Sequence, residues 1–304
     1  MTVNPNYVRG LAAAISQSSG ATQKLTAELS SGLRVTQLSD DAVAAAQNVG
    51  ISNSIGRLDT FVQTATADQG RMQVADNALG QVVMQVTSAL SLAVSAGNGT
   101  LSAVDFASVQ AHVTSLRDSV VALANTSYQG HYVFAGSQGG PTPFTVNSFV
   151  NPATVTYNGD AVTQKLQTPD GQLVALNVPG SSVFTNGSGN LLGTLNQLIS
   201  DLGAAANGTG TTANIQADST ALSQALGVVS WQRSTLDSGL SQLISVATYS
   251  STQESVYKAQ QSGLLSADPV SVATDLKTAE VQRQALLGVT SALEGARNLF
   301  DYLR

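Results

Sequence analysis

Residues 51–90 read ISNSIGRLDTFVQTATADQGRMQVADNALGQVVMQVTSAL, and the spacing of their apolar side chains decides what the rest of the chain has to do. Ile51, Ile55, Leu58, Val62, Ala65, Met72, Leu79, Val83, Val86 and Leu90 recur at steps of four and three, with only Gln69 and Asp76 interrupting the series. Such steps keep one stripe on one side of an α-helix. No proline falls between residues 40 and 96. A single helix over that stretch would span on the order of 80 Å at about 1.5 Å per residue. That length predicts an elongated rod, and it requires a partner for the stripe elsewhere in the chain.

Working outward, residues 6–33 carry a weaker seam of Val8, Leu11, Ile15, Ser18, Thr22, Leu25, Leu29 and Gly32. Ser, Thr and Gly dilute it, so a helix here is marginal alone and needs partners. Ser30-Ser31-Gly32-Leu33-Arg34 reads as a break, and Ser39-Asp40-Asp41 supplies an N-cap and carboxylates for the long helix. Downstream, Gly97-Asn98-Gly99 is a turn signal and Ser102-x-x-Asp105 a capping-box pattern. A third helix follows with Phe106, Val109, Val113, Leu116, Val120 and Leu123 on one face, predicted to fold back on the second as a helical hairpin.

At Gly130 the character changes. Five of the seven prolines lie between Pro141 and Pro179, and thirteen of the 27 glycines between Gly130 and Gly210. Short alternating runs, Thr154–Tyr157 and Gln172–Leu176, sit among Asn158-Gly159, Asp170-Gly171 and Pro179-Gly180, which is the grammar of β-hairpins. A helix is expected near Leu191–Leu202. From Thr212 the helical period returns with Ile215, Leu222, Leu226, Val229, Leu236, Leu240 and Leu243, interrupted by Arg233. This is the expected partner of the 51–90 stripe. Asp268-Pro269 announces a last helix through Leu276, Leu286 and Leu293 to Leu299-Phe300-Asp301-Tyr302-Leu303.

The fold expected is therefore mainly α with a small central β module: a rod of long antiparallel helices whose terminal helices pair at one end. Its expected parts are 1–40 with 266–304 (terminal helices), 41–129 with 212–265 (helical rod) and 130–211 (β-rich outer module). The rod core is assigned to Ile55, Leu58, Val62, Met72, Leu79, Val83, Val86, Leu90, Val113, Leu116, Val120, Leu222, Leu226, Val229, Leu236, Leu240 and Leu243.

The bulk composition narrows the function. The chain has 304 residues, a net charge of −6 and 11% charged residues, about half the usual share. Without clusters of Lys and Arg it is a poor partner for nucleic acid or an anionic membrane surface. Cysteine is absent, and histidine is limited to His112 and His131, which removes disulfide frameworks, thiolate nucleophiles and imidazole-rich metal sites. No zincin, nucleophile-elbow, phosphate-loop or dinucleotide motif is present. No catalysis, metal or cofactor is expected. Residues 1–10 lack an apolar core behind basic residues, so no Sec-type signal peptide is expected. No run of about eighteen consecutive apolar residues suggests a membrane span.

The out-and-back layout, together with Leu29-Ser30-Ser31-Gly32-Leu33-Arg34 and Ser39-Asp40-Asp41-Ala42, resembles the flagellin superfamily. Within it the chain is similar to the proteins of the hook–filament junction, on Tyr128–Ser137, Tyr157-Asn158-Gly159-Asp160, Val178–Phe184 and the closing Leu299–Leu303. The resemblance implies a non-enzymatic flagellar subunit, exported unfolded by the flagellar type III apparatus without a cleaved signal. It implies a ring between the hook-side junction protein (hook-associated protein 1) and flagellin. Its partners would be copies of itself, those two proteins and, before secretion, an export chaperone. Leu11, Ile15, Leu25, Leu29, Leu33, Leu286, Leu293, Leu299, Phe300, Tyr302 and Leu303 are the residues expected to pack between subunits. Rival readings are flagellin itself, which would polymerise without limit, and a cytoplasmic coiled-coil adaptor, which has no need of a central β insertion.

Overall fold

The computed structural model describes residues 5–150, 152–187 and 189–302. Contacts within the chain cluster into two units, Met1–Gly56 with Gln253–Arg304, and Arg57–Thr252. Both boundaries fall inside long helices: α2 (Ala42–Gly97) and α6 (Thr212–Leu265).

In the Arg57–Thr252 unit, α2 and α6 lie antiparallel. Met72 approaches Gly239, Asp76 meets Arg233, and Gly97 accepts a 2.8 Å hydrogen bond from the Gln216 side chain. Leu58, Ala65, Met72, Leu79, Val86 and Ala93 are buried on α2 at intervals of seven, as are Leu222, Val229, Leu236 and Leu243 on α6. This is the spacing that keeps a seam facing a partner helix. Val62, Val83, Leu90, Leu226 and Leu240 line its margins, half-buried. The two charges interrupting the seams find each other: Arg233 donates to both carboxylate oxygens of Asp76, at 2.6 and 3.1 Å. That fork raises the Arg233 pKa further.

A second buried stripe on α2, made of Ala75, Ala78, Val82, Ala89 and Ala96, does not appear in the stripe read from the sequence. It exists because α2 has neighbours on more than one side. α3 (Ala103–Ala124) turns back from it after Gly99, whose φ of +71° suits a residue without Cβ. The capping box is formed as read: Ser102 Oγ accepts from the Asp105 amide, and the Asp105 carboxylate accepts from Ser102. Phe106, Val113 and Val120 are buried on α3, with Val109, Leu116 and Leu123 half-buried. α3 packs on α5 (Leu191–Ala206), whose Leu191, Leu192, Leu195, Leu198 and Leu202 are buried. Between them Arg117, 6% exposed, donates to Asn196 Oδ1 at 2.7 Å.

One eighteen-residue window of α2 has a mean hydropathy of 1.4, long and apolar enough by composition to cross a membrane. Uninterrupted apolar runs alone do not reveal it. Many apolar residues of this helix, Met72, Leu79, Val82 and Val86 among them, are part of the core cluster shared with α3, α5 and α6, while Met84 and Val94 are exposed.

Among the described residues, the β insertion holds three separate two-stranded antiparallel pairs. β1 (Ser127–Tyr128) and β2 (His131–Tyr132) are joined by Gln129-Gly130, both at positive φ, the tight turn of hairpins. β3 (Phe144–Asn147) pairs with β4 (Thr154–Tyr157), and β5 (Lys165–Gln167) with β6 (Leu173–Ala175). Of the three expected turn signals, only Asp170-Gly171 joins paired strands. Asn158-Gly159 follows β4, and Pro179-Gly180 opens the short helix α4 (Gly180–Phe184). Gly180 is placed there by close approach: its amide donates to the Phe134 carbonyl at 2.8 Å, and a Cβ would meet that oxygen and the Phe144 ring at 2.8 Å. Phe134, Phe144 and Phe184 pack edge to face beneath the hairpins, with centroids 5.4 and 5.2 Å apart.

Candidate functional site

The unit formed by Met1–Gly56 and Gln253–Arg304 holds a helix pair and a turn-rich clasp. α1 (Pro5–Ser31) and α7 (Pro269–Tyr302) pack together, with Ser18 Oγ donating to the Ala279 carbonyl at 3.5 Å. Their facing positions keep the three-and-four step. Leu11, Ile15, Ser18, Thr22 and Leu25 on α1 are half-buried. On α7, Val272 and Ala279 are buried and Leu276, Leu286 and Thr290 half-buried. Asp268 caps α7 through its side chain to the Val270 amide at 3.0 Å, with Pro269 in the first turn, where no amide is missed.

The segment between α1 and α2 is held to the segment between α6 and α7 by main-chain bonds. Leu33 forms an antiparallel bridge with Ser266, the Arg34 amide donates to the Leu265 carbonyl at 2.7 Å, and the Ala267 amide donates to Gly32 at 2.9 Å. Arg34 adds its guanidinium to the Leu264 carbonyl and to Asp41, both at 3.1 Å. The two carboxylates read together as one cap have different tasks. Asp41 caps α2 through the Val43 and Ala44 amides, at 3.1 and 3.0 Å. Asp40 closes the preceding turn, accepting from the Thr36 and Gln37 amides and the Thr36 hydroxyl, and it pairs with Lys24 of α1 at 3.0 Å. Lys24 first, then those amides, hold the Asp40 carboxyl well below the usual carboxylate range. Lys24 and Thr36 carry no signal in a pattern of apolar residues; only the folded turn brings them to Asp40.

This unit buries little apolar surface. Among the described residues its buried hydrophobics are Val35, Ala44, Val272 and Ala279. Large aliphatic residues stay in solvent: Leu38 is 67% exposed, Val43 68% and Val270 74%, with Tyr7, Val49, Val281 and Leu287 also exposed. Covering one such side chain is worth roughly 1.5–3 kcal/mol.

Of the residues expected to pack between subunits, Leu11, Ile15, Leu25 and Leu286 lie half-buried in the α1–α7 seam, while Leu29 and Leu33 are exposed. The side chains of Leu293, Leu299, Phe300 and Tyr302, and residue Leu303, lie outside the described residues. Ile55, assigned to the rod core, is half-buried in this same unit. The other core assignments fall in the Arg57–Thr252 unit. Among the described residues, no three His, Cys, Asp or Glu side chains converge as metal ligands.

Comparison with known proteins bears out the resemblance. Residues 7–139 match the family of the bacterial flagellin N-terminal helical region. The chain is 31% identical to the flagellar hook-associated protein 3 of Salmonella typhimurium over 173 residues, 57% of this chain and 53% of that protein. The match thus spans about half the length of that relative. In three dimensions the chain shares its fold with Xanthomonas campestris FlgL (TM-score 0.62, 17% identity, 70% of this chain and 99% of that one). It shares it equally with the flagellar hook-associated protein 3 of Legionella pneumophila (TM-score 0.61, 16% identity, 70% and 98%).

Proposed function

We propose that this chain is a structural, non-catalytic subunit of the bacterial flagellum, placed at the junction between hook and filament. The observation that carries the reading is the helix pair α1–α7. It is closed by the Gly32–Asp41 clasp and leaves large aliphatic residues such as Leu38, Val43 and Val270 in solvent, on a sequence similar to a flagellar hook-associated protein. Such a unit gains stability when neighbours cover it, and many modest contacts acting together hold a ring.

In this reading the terminal helices pack against copies of the chain, against hook-associated protein 1 on one side and flagellin on the other, while the 130–211 module faces outward. The ring passes hook geometry to the filament and templates the first flagellin layer. Export proceeds through the flagellar type III apparatus, with a chaperone covering the apolar C-terminal helix beforehand.

The test is a chromosomal deletion in the source organism with complementation, read by electron microscopy of cells and culture supernatant. Hooks without filaments, with flagellin monomer shed into the medium and filaments restored by the plasmid copy, are expected. Filaments that persist in the deletion strain would overturn the junction assignment.

A further inference from the structure

The core of the Arg57–Thr252 unit contains a carboxylate that no partner explains. Asp218 of α6 is 7% exposed, and its Oδ2 is buried with no hydrogen-bond donor. The group that faces it is another acid, Asp201 of α5, close enough for a hydrogen bond once one of the two carries a proton. Asp201 already accepts from Gln197 of its own helix at 3.0 Å. No Lys, Arg or His of α2, α3, α5 or α6 acts on Asp218 among the described residues. Two ionised carboxylates in contact, one of them out of water, repel each other with nothing to compensate; a shared proton turns the same contact into a charge-assisted hydrogen bond.

We propose that Asp201 and Asp218 hold one proton between them across the α5–α6 contact, and that its loss in alkaline medium loosens α5 from the helical core. The proton sits on Asp218, the more buried acid, and is donated to an Asp201 oxygen. Burial first, then Asp201, pushes the Asp218 carboxyl up to about 7. α5 packs on α3 and lies within the 130–211 module, after β6 and α4. Release of the proton therefore acts on the packing of that module. The sign follows from proton linkage: the folded chain keeps a proton that the unfolded chain, with an ordinary aspartate near 3.8, gives up. The contribution is complete below the unfolded value and is lost as the pH rises to and through the folded one.

Unfolding of the full chain in urea, followed from pH 5 to pH 8, tests this beside Asp218→Asn and Asp201→Asn. For the wild type, folding should be on the order of a hundredfold more favourable at the acid end from this group alone. Asp218→Asn keeps a donor toward Asp201 but cannot ionise, so that part of the pH dependence should vanish. Asp201→Asn removes the repelling charge and should leave a smaller dependence due to burial. Parallel curves for the wild type and Asp218→Asn would overturn the proposal. Infrared spectra of the wild type with carboxyl-labelled aspartate give a second reading that does not require the variants to fold. A protonated carboxyl band at pH 6 that disappears by pH 8.5 supports the shared proton, and its absence at pH 6 refutes it.

Discussion

Asn196 shows what a single polar residue does in this core. It is 3% exposed and accepts the Arg117 guanidinium at 2.7 Å, in the contact between α3 and α5. Arg117 also reaches Asp118 at 2.7 Å, but that carboxylate is largely in solvent, so Asn196 is its buried acceptor. Replacing Asn196 with Ala strands part of a charged donor and should destabilise the fold by about 1–3 kcal/mol, seen in calorimetry as a melting temperature several degrees lower. Asn196→Asp should lose much less. Asp40 sets a different expectation. Because its partners depress its pKa, the stability it contributes is present at neutral pH and is lost in acid, as the pH falls through and below the ordinary aspartate value of 3.8. Asp40→Asn should remove that acid limb from the unfolding of the terminal helices, followed by circular dichroism. These roles were not legible in the sequence, since Asn196, Lys24 and Thr36 gain meaning only from the groups folding brings beside them.

At the scale of elements, the helices were largely legible and the hairpins were less so. The Leu, Val and Met stripe of α2 declares its period through large side chains. Its second stripe, rich in alanine, is silent, because alanine is compatible with either face until a neighbour is known. Turn signals in the insertion had the right density but only one of three lay between paired strands, since a glycine also serves where two backbones meet, as Gly180 does beneath Phe134. Gly180→Ala should therefore destabilise the insertion by about 1–3 kcal/mol, with loss of ordered aromatic signals from Phe134, Phe144 and Phe184 by NMR. The capping box at Ser102 was readable outright, because its spacing is set by one helical turn. Ser102→Ala should cost about 1 kcal/mol in urea unfolding.

For the whole molecule, the two units differ in how much apolar surface each buries. Large side chains including Phe134, Phe144, Phe184, Met72 and Leu79 are fully buried in the Arg57–Thr252 unit. Among the described residues of the terminal unit, comparable side chains other than Val35 and Val272 are half-buried or exposed. Local stability follows buried apolar contact. Hydrogen exchange of the full-length monomer should thus find the slowest amides in the Arg57–Thr252 parts of α2 and α6, with α1 and α7 exchanging orders of magnitude faster. Slow exchange in α1 and α7 of the monomer would contradict the view that neighbours complete this unit.

By itself the sequence determined the helical period, the length of the helices, the caps at Ser102 and Asp268, and the order of segments that carries the flagellin resemblance. All of these depend on residues within a few turns of one another. Tertiary structure alone decided which acids share a contact, which alanines are buried, how the hairpins pair, and that Lys24 meets Asp40 while Arg233 meets Asp76. Those outcomes depend on residues far apart in the chain, whose mutual distance is set by packing and not by spacing.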